Sequence, residues 1–172
     1  MVGRFGFGVA MFACAVVAVS RGDHAQKYDK QLLKVVELTN KERKKRGFSE
    51  LKVNDSLMKS AAWMAEDISK RSELSHKDSK GRWAKDRIPA FGYIDWSSLG
   101  ENLAAGPSSP EELIEMWLDS PSHYKVMMSP EAKEIGIGYV FAPKSEFVKY
   151  WVMNVGARRE PKPEVPLKDD LR

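Results

Sequence analysis

The sequence predicts a single α/β domain in which helices cover a central, mainly antiparallel sheet. Three observations carry this. Two amphipathic helical stretches come first, between residues 28 and 71. Two runs rich in β-branched and aromatic residues come last, IGIGYVF at 135–141 and VKYWVMNV at 148–155. Between them, two Ser-Pro pairs announce further helices. Helices followed by paired strands place the helices on the faces of an antiparallel sheet. A chain of 172 residues with 42% hydrophobic and 10% aromatic side chains supports one core. Its net charge of +4 arises from 28 basic and 24 acidic residues. These are interspersed, so no nucleic-acid footprint is read from them.

Residues 1–20, MVGRFGFGVAMFACAVVAVS, combine Arg4, an apolar run over 5–19 and the small residues Ala18 and Ser20, the pattern of a secretory signal peptide. The run is shorter than the ~20 residues that cross a bilayer, so no stable membrane span is expected after cleavage. A lipoprotein anchored through Cys14 is the alternative, but Met11 and the apolar AVVAVS around it fit that poorly. With the leader removed no cysteine remains, and the core alone must hold the fold. The expected organisation is a signal peptide at 1–20, a linker at 21–29, one domain at 30–157 and a disordered, charged, Pro-rich tail at 158–172.

Over residues 28–45, Leu32, Val35, Val36 and Thr39 follow the i, i+3, i+4, i+7 spacing of a helix with one buried stripe, which Gly47 ends. A second helix is predicted with Asp55 as its N-cap and a buried face of Leu57, Met58, Ala61, Ala65 and Ile68. Residues 73–99 keep no period and contain His76, Gly81, Pro89 and Gly92, so they read as a long functional loop or one hiding a short element. GENLAAG at 100–106 is broken by glycine and reads as neither helix nor strand. A third helix opens with Ser109 as N-cap, Pro110 in the first turn and Glu112 closing a capping box, and it buries Leu113, Met116 and Trp117. Ser120 and Pro121 repeat the start signal, placing His123 in the first turn of a short helix that runs to residue 128. Residues 142–147 join the two final strands as a hairpin loop.

Several catalytic signatures are absent: the G-x-S-x-G elbow, the H-E-x-x-H zinc helix, a phosphate-binding glycine loop and a cysteine outside the leader. Of three histidines, His24 lies in the linker, which leaves His76 and His123. With Glu101 they supply two imidazoles and one carboxylate, a minimal donor set for a divalent transition metal. The same three side chains also read as a hydrogen-bonded staple between loop and helix without a metal. Trp83, Tyr93 and Trp96 are aromatics in the aperiodic segment, suited to an apolar or sugar ligand in a cleft.

The blocks LSHKDSKGR at 74–82, LGENLAAG at 99–106, WLDSPSHYKVMM at 117–128, EIGIGYVF at 134–141 and YWVMNVG at 150–156, with Asn40, Arg43 and Gly47 in the first helix, stand in a telling order. In order and content they resemble the CAP superfamily of cysteine-rich secretory, antigen 5 and pathogenesis-related 1 proteins, in its cysteine-poor bacterial SCP-domain branch. The resemblance covers 30–156. It implies an α-β-α sandwich in which His76, Glu101 and His123 converge in a surface cleft around a divalent cation, with zinc foremost and magnesium or calcium as alternatives. On this reading the turn at Gly100 presents Glu101, and Asn102 fixes that turn. Family members with a second glutamate carry it three residues after the helix tryptophan. Here that position is Ser120, with Asp119 beside it and Glu115 a lesser candidate, so weaker cation binding is implied. The implied function is a secreted or periplasmic protein that binds the cation and an extracellular or envelope ligand of lipid or sterol type, without covalent chemistry. A hydrolase using metal-activated water with Glu101 as base, or a structural cell-envelope module, are the alternatives.

Overall fold

The structure is a computed structural model and describes residues 28–160. The signal-peptide and Cys14 expectations lie outside the described residues, as does the tail beyond residue 160.

Helix α1 (Lys30–Lys45) is capped by Asp29, whose carboxylate accepts from Gln31 N at 2.7 Å. Its Arg43 is fully buried, yet Nε donates to Ser49 O at 2.8 Å and Nη1 to Met127 O at 2.7 Å and Ser129 O at 3.0 Å. Backbone carbonyls thus compensate a charge that burial alone would expel. After the short strand β1 (Lys52–Val53) comes α2 (Asp55–Arg71). Its N-cap is Asn54 rather than Asp55, because Asn54 Oδ1 accepts from Ser56 N and Leu57 N at 2.9 and 3.2 Å and leaves Asp55 as the first helical residue. The aperiodic segment does hide short elements: α3 (Ala84–Arg87), continued by a 3-10 turn (Ile88–Phe91). Strand β2 (Trp96–Ala105), α4 (Pro110–Asp119), α5 (Pro121–Met127), β3 (Glu134–Phe141) and β4 (Lys149–Arg158) complete the chain. Ser109 caps α4, its hydroxyl accepting from Glu112 N at 3.2 Å. The Glu112 carboxylate turns back to Ser108 N and Oγ at 2.7 Å, so the box closes one residue earlier than expected.

The sheet order is β1-β3-β4-β2, with β1 parallel to β3 and the other two pairs antiparallel. Alternate residues of β4 feed two cores. Trp151, Met153 and Val155 pack with Val35, Leu113 and Trp117, whereas Tyr150 and Val152 pack with Ala61, Met64, Ala65 and Ile68 of α2. Helices therefore cover both faces, giving an α-β-α sandwich. On the α2 side the fit is close enough to need glycine. A Cβ on Gly136 would lie 2.1 Å from Leu57 C, and one on Gly138 would lie 2.2 Å from Ala61 C.

Three expectations are corrected. GENLAAG, read as neither helix nor strand, supplies the second half of β2 through Ala105, and the strand pairs with β4 from Trp96↔Arg158 to Ala105↔Tyr150. Gly100 sits in that strand because a Cβ would come within 3.0 Å of both Val126 and Val155. Met116 is 40% exposed and leaves the buried face of α4 to Leu113, Ile114 and Trp117. Arg158 belongs to β4, so the strand runs one residue into the stretch predicted as tail.

Candidate functional site

β2 is an edge strand, and its side chains alternate between the two faces. Glu101 and Leu103 point toward α2, while Gly100 and Asn102 point toward α5. A strand, not a turn, therefore presents Glu101, and Asn102 fixes no turn. Instead its Nδ2 donates to His123 O at 2.9 Å and ties β2 to α5.

Glu101 is nearly closed off from solvent and is held from three directions. His76 Nδ1 lies 2.9 Å from its Oε1. Arg87 Nη2 donates to Oε2, an ion pair in which the guanidinium is fully buried. Asn154 of β4, the partner of Glu101 in the ladder, satisfies its neighbours when its amide is assigned with Nδ2 toward the same Oε2 and Oδ1 toward Ala61 N, each at 3.2 Å. A carboxylate taken out of water requires this compensation. His76 is about half exposed, with a side-chain exposure of 48%, so the carboxylate orients a ring whose other edge faces the cleft.

The loop that carries His76 is shaped by two carboxylates. Asp67 of α2 accepts from Ser79 N and Arg71 Nε at 3.0 Å. Asp78 accepts from Lys80 N, Arg82 N and Arg82 Nε at 2.9 Å. These bonds hold the Asp78 carboxyl below its ordinary pKa although burial pushes the other way.

His123 approaches from α5. Its ring lies 6.5 Å from that of Trp117, and its Nδ1 is buried with no hydrogen-bond partner among the described residues. Burial lowers its pKa, and the nearby His76 lowers it further. The neutral ring is thus favoured by the fold. Its stability contribution is full above the ordinary value near 6.5 and is lost as pH falls below it, because the unfolded chain takes up the proton first. Parent and His123→Gln should therefore lose stability differently in denaturant titrations between pH 7 and pH 5, the parent falling more. Parallel curves would contradict this.

A cleft of about 400 Å³ opens beside Glu101, lined by His76, Trp83, Ala84, Lys85, Leu99 and Gly100. Trp83 is 48% exposed on its wall, and Lys77 Nζ lies 5.3 Å from the centre of its ring. The other two candidate aromatics turn away. Tyr93 is fully buried and donates its hydroxyl to Glu134 Oε2 at 2.6 Å, burial and that bond raising its pKa. Trp96 packs against the small core of Leu57, Ile88 and Tyr93. Asp119 and Glu115 are exposed on α4, and the Ser120 hydroxyl meets Ser122 Oγ at 3.1 Å without capping α5.

The geometry bears directly on the predicted cation set. Among the described residues no group of three or more His, Cys, Asp or Glu side chains is arranged to hold a metal ion. Glu101 faces His76 with one oxygen and Arg87 and Asn154 with the other, so a metal there would compete with a buried guanidinium, and the two imidazoles alone are fewer than the three protein ligands of a usual zinc site. The residues as arranged do not fit a resident divalent cation.

Sequence reasoning missed Arg87 and Asn154. Each left a local trace: Arg87 shares the inward side of its short helical segment with Ala84 and Ile88, and Asn154 occupies the inward position that follows Tyr150 and Val152 in β4. A polar residue on an inward face implies a partner.

The family model for cysteine-rich secretory proteins, CAP, matches residues 36–155. The chain belongs to the CAP family. YkwD of Bacillus subtilis strain 168 is 37% identical over 107 residues, 62% of this chain and 41% of YkwD. The membrane protein YlbC of the same organism is 28% identical over 118 residues, 68% of this chain and 34% of YlbC. This CAP chain thus spans well under half the length of either curated relative. Among solved structures, an outer surface protein of Borrelia burgdorferi superposes with a TM-score of 0.66 at 22% identity, over 73% of this chain and 90% of that one. An extracellular SCP-domain protein of Bacillus anthracis gives a TM-score of 0.66 at 22% identity, over 75% of this chain and 40% of its own. At that identity the likeness establishes the shared fold. No helix among the described residues is long and apolar enough to cross a membrane.

Proposed function

We propose that this CAP domain is an exported binding module whose cleft takes an extracellular amphiphile with an apolar body and an anionic head, without covalent chemistry. The observation that carries the reading is Trp83, a large aromatic left half exposed on the wall of a cleft whose floor is the Glu101 network. The cleft falls within the ~300–1,000 Å³ range of small-molecule sites. Lys85 lines it and Lys77 stands at Trp83, which favours an anionic head group. An envelope lipid or fatty acid meets both requirements. Export rests on the leader-like residues 1–20.

The test uses dibromostearate, whose bromines quench tryptophan on contact, with protein recovered from outside the cell. An intact mass starting near Arg21 supports export, and acyl chains on Cys14 would replace it with a lipoprotein. Dibromostearate should quench part of the signal of the five tryptophans, and Trp83→Phe should remove that part. Lys85→Glu should weaken binding about fivefold, the effect of one rim charge worth roughly 1 kcal/mol. Equal quenching in parent and Trp83→Phe would overturn the cleft reading. Ester turnover that Glu101→Gln abolishes would favour the hydrolase instead.

A further inference from the structure

We infer that Arg87 is the resident cation of this site: its guanidinium, bonded through Nη2 alone while Nε and Nη1 have no hydrogen-bond partner among the described residues, neutralises Glu101 in place of a divalent metal. Three observations support this independently of any ligand in the cleft. First, the guanidinium is fully buried and bonded to Glu101 Oε2, so the positive charge sits against the carboxylate itself. Second, every oxygen of that carboxylate is already engaged, Oε1 by His76 and Oε2 by Arg87 and Asn154. A metal at Glu101 would have to compete with a guanidinium that is already buried against it. Third, Ser120 leaves the site without a second carboxylate, and Asp119 is exposed elsewhere on α4. One negative charge is balanced by one positive charge, and a divalent ion would leave a buried excess. Because a guanidinium stays protonated at any working pH, this cation is permanent and does not depend on metal supply.

Local chemistry fits the assignment. With Glu101 accepting, His76 Nδ1 carries the proton and donates. Asn154 bridges Glu101 to the backbone of α2, so the pair is fixed to the sheet and the helix together. The inference stands apart from the amphiphile reading, whose test depends on Trp83 and not on zinc.

The experiment titrates zinc chloride into the metal-stripped full chain calorimetrically and follows thermal unfolding with zinc or with EDTA. The parent should give no one-to-one heat at tens of micromolar, and its Tm should move by less than about 1 °C with either addition. Arg87→Gln leaves Glu101 without its cation. Zinc should raise its Tm by about 5 °C or more, or restore its fold if it is unfolded alone, and EDTA should reverse this. Arg87→Lys, which keeps the charge, should be as indifferent to zinc as the parent, and so should the double variant Arg87→Gln with Glu101→Gln. Stoichiometric zinc binding by the parent that His76→Ala or His123→Ala abolishes would overturn the inference. So would an Arg87→Gln protein, folded or unfolded, that ignores zinc.

Discussion

Gly138→Ala is expected to be among the most damaging single-methyl changes in the domain. The added Cβ would sit 2.2 Å from both the carbonyl carbon and oxygen of Ala61 and 2.5 Å from Ala62 N. All three are backbone atoms of α2, so no rotamer change relieves the clash. Either α2 lifts off the sheet or β3 buckles, and both loosen the core of Ala61, Met64, Ala65, Ile68 and Val152. Overpacking in a close-packed core costs about 1–3 kcal/mol where side chains can give way. With rigid backbone on both sides a loss of about 3 kcal/mol or more is expected, a large share of a typical domain's stability. Urea unfolding measures it, and Gly47→Ala is the contrast, since no atom lies within 4 Å of a Cβ there and only its φ of +79° resists. A Gly138→Ala midpoint close to the parent's would show that helix and sheet are not held as close as described.

Glu101→Ala is expected to cost about 3–5 kcal/mol, because it strands the Arg87 guanidinium in the interior without a counter-charge. The informative comparison is the double replacement Glu101→Leu with Arg87→Met, which removes both charges and keeps most of the volume. A buried ion pair replaced by apolar groups is often neutral or better. The double variant should therefore recover at least half of the single-variant loss, with a coupling of about 2 kcal/mol or more in the cycle. Additive losses would mean that the two charges are compensated by other groups. His76 and Asn154 also lose a partner in each Glu101 variant, so the cycle is best read through Arg87, whose contact with Glu101 is direct.

Much of the fold was legible in the residues because its determinants are local. The stripe of Leu32, Val35, Val36 and Thr39, the Ser109-Pro110 start and the β-branched runs at 135–141 and 148–155 each specify an element without knowledge of the rest. β2 was not legible in this way. Its glycine looks like a breaker until Val126 and Val155 are seen to occupy the space a side chain would need, and those two residues come from other elements. The resemblance implied that His76, Glu101 and His123 converge, and the structure places His76 Nδ1 2.9 Å from Glu101, a contact that no local pattern in the residues specifies. Arg87 escaped because its partner lies 14 residues away on a strand that had been read as a turn. Tyr93 and Trp96 were assigned to the cleft from their place in an aperiodic segment. The turn after α3 carries them into a small core instead.

The glycines of β3 also bear on how the domain moves. Helix α2 rests directly on the backbone of β3, so the amides of β3, β4 and α2 should exchange with solvent only through opening of the whole domain. The segment from His76 to Lys85 is tied to the rest through side-chain bonds to Asp67, Arg71 and Glu101, and such a segment should open by itself at much lower free energy. The cleft's floor, Glu101 on β2, is paired to β4 of that slow-exchanging set and should be protected longer than its wall.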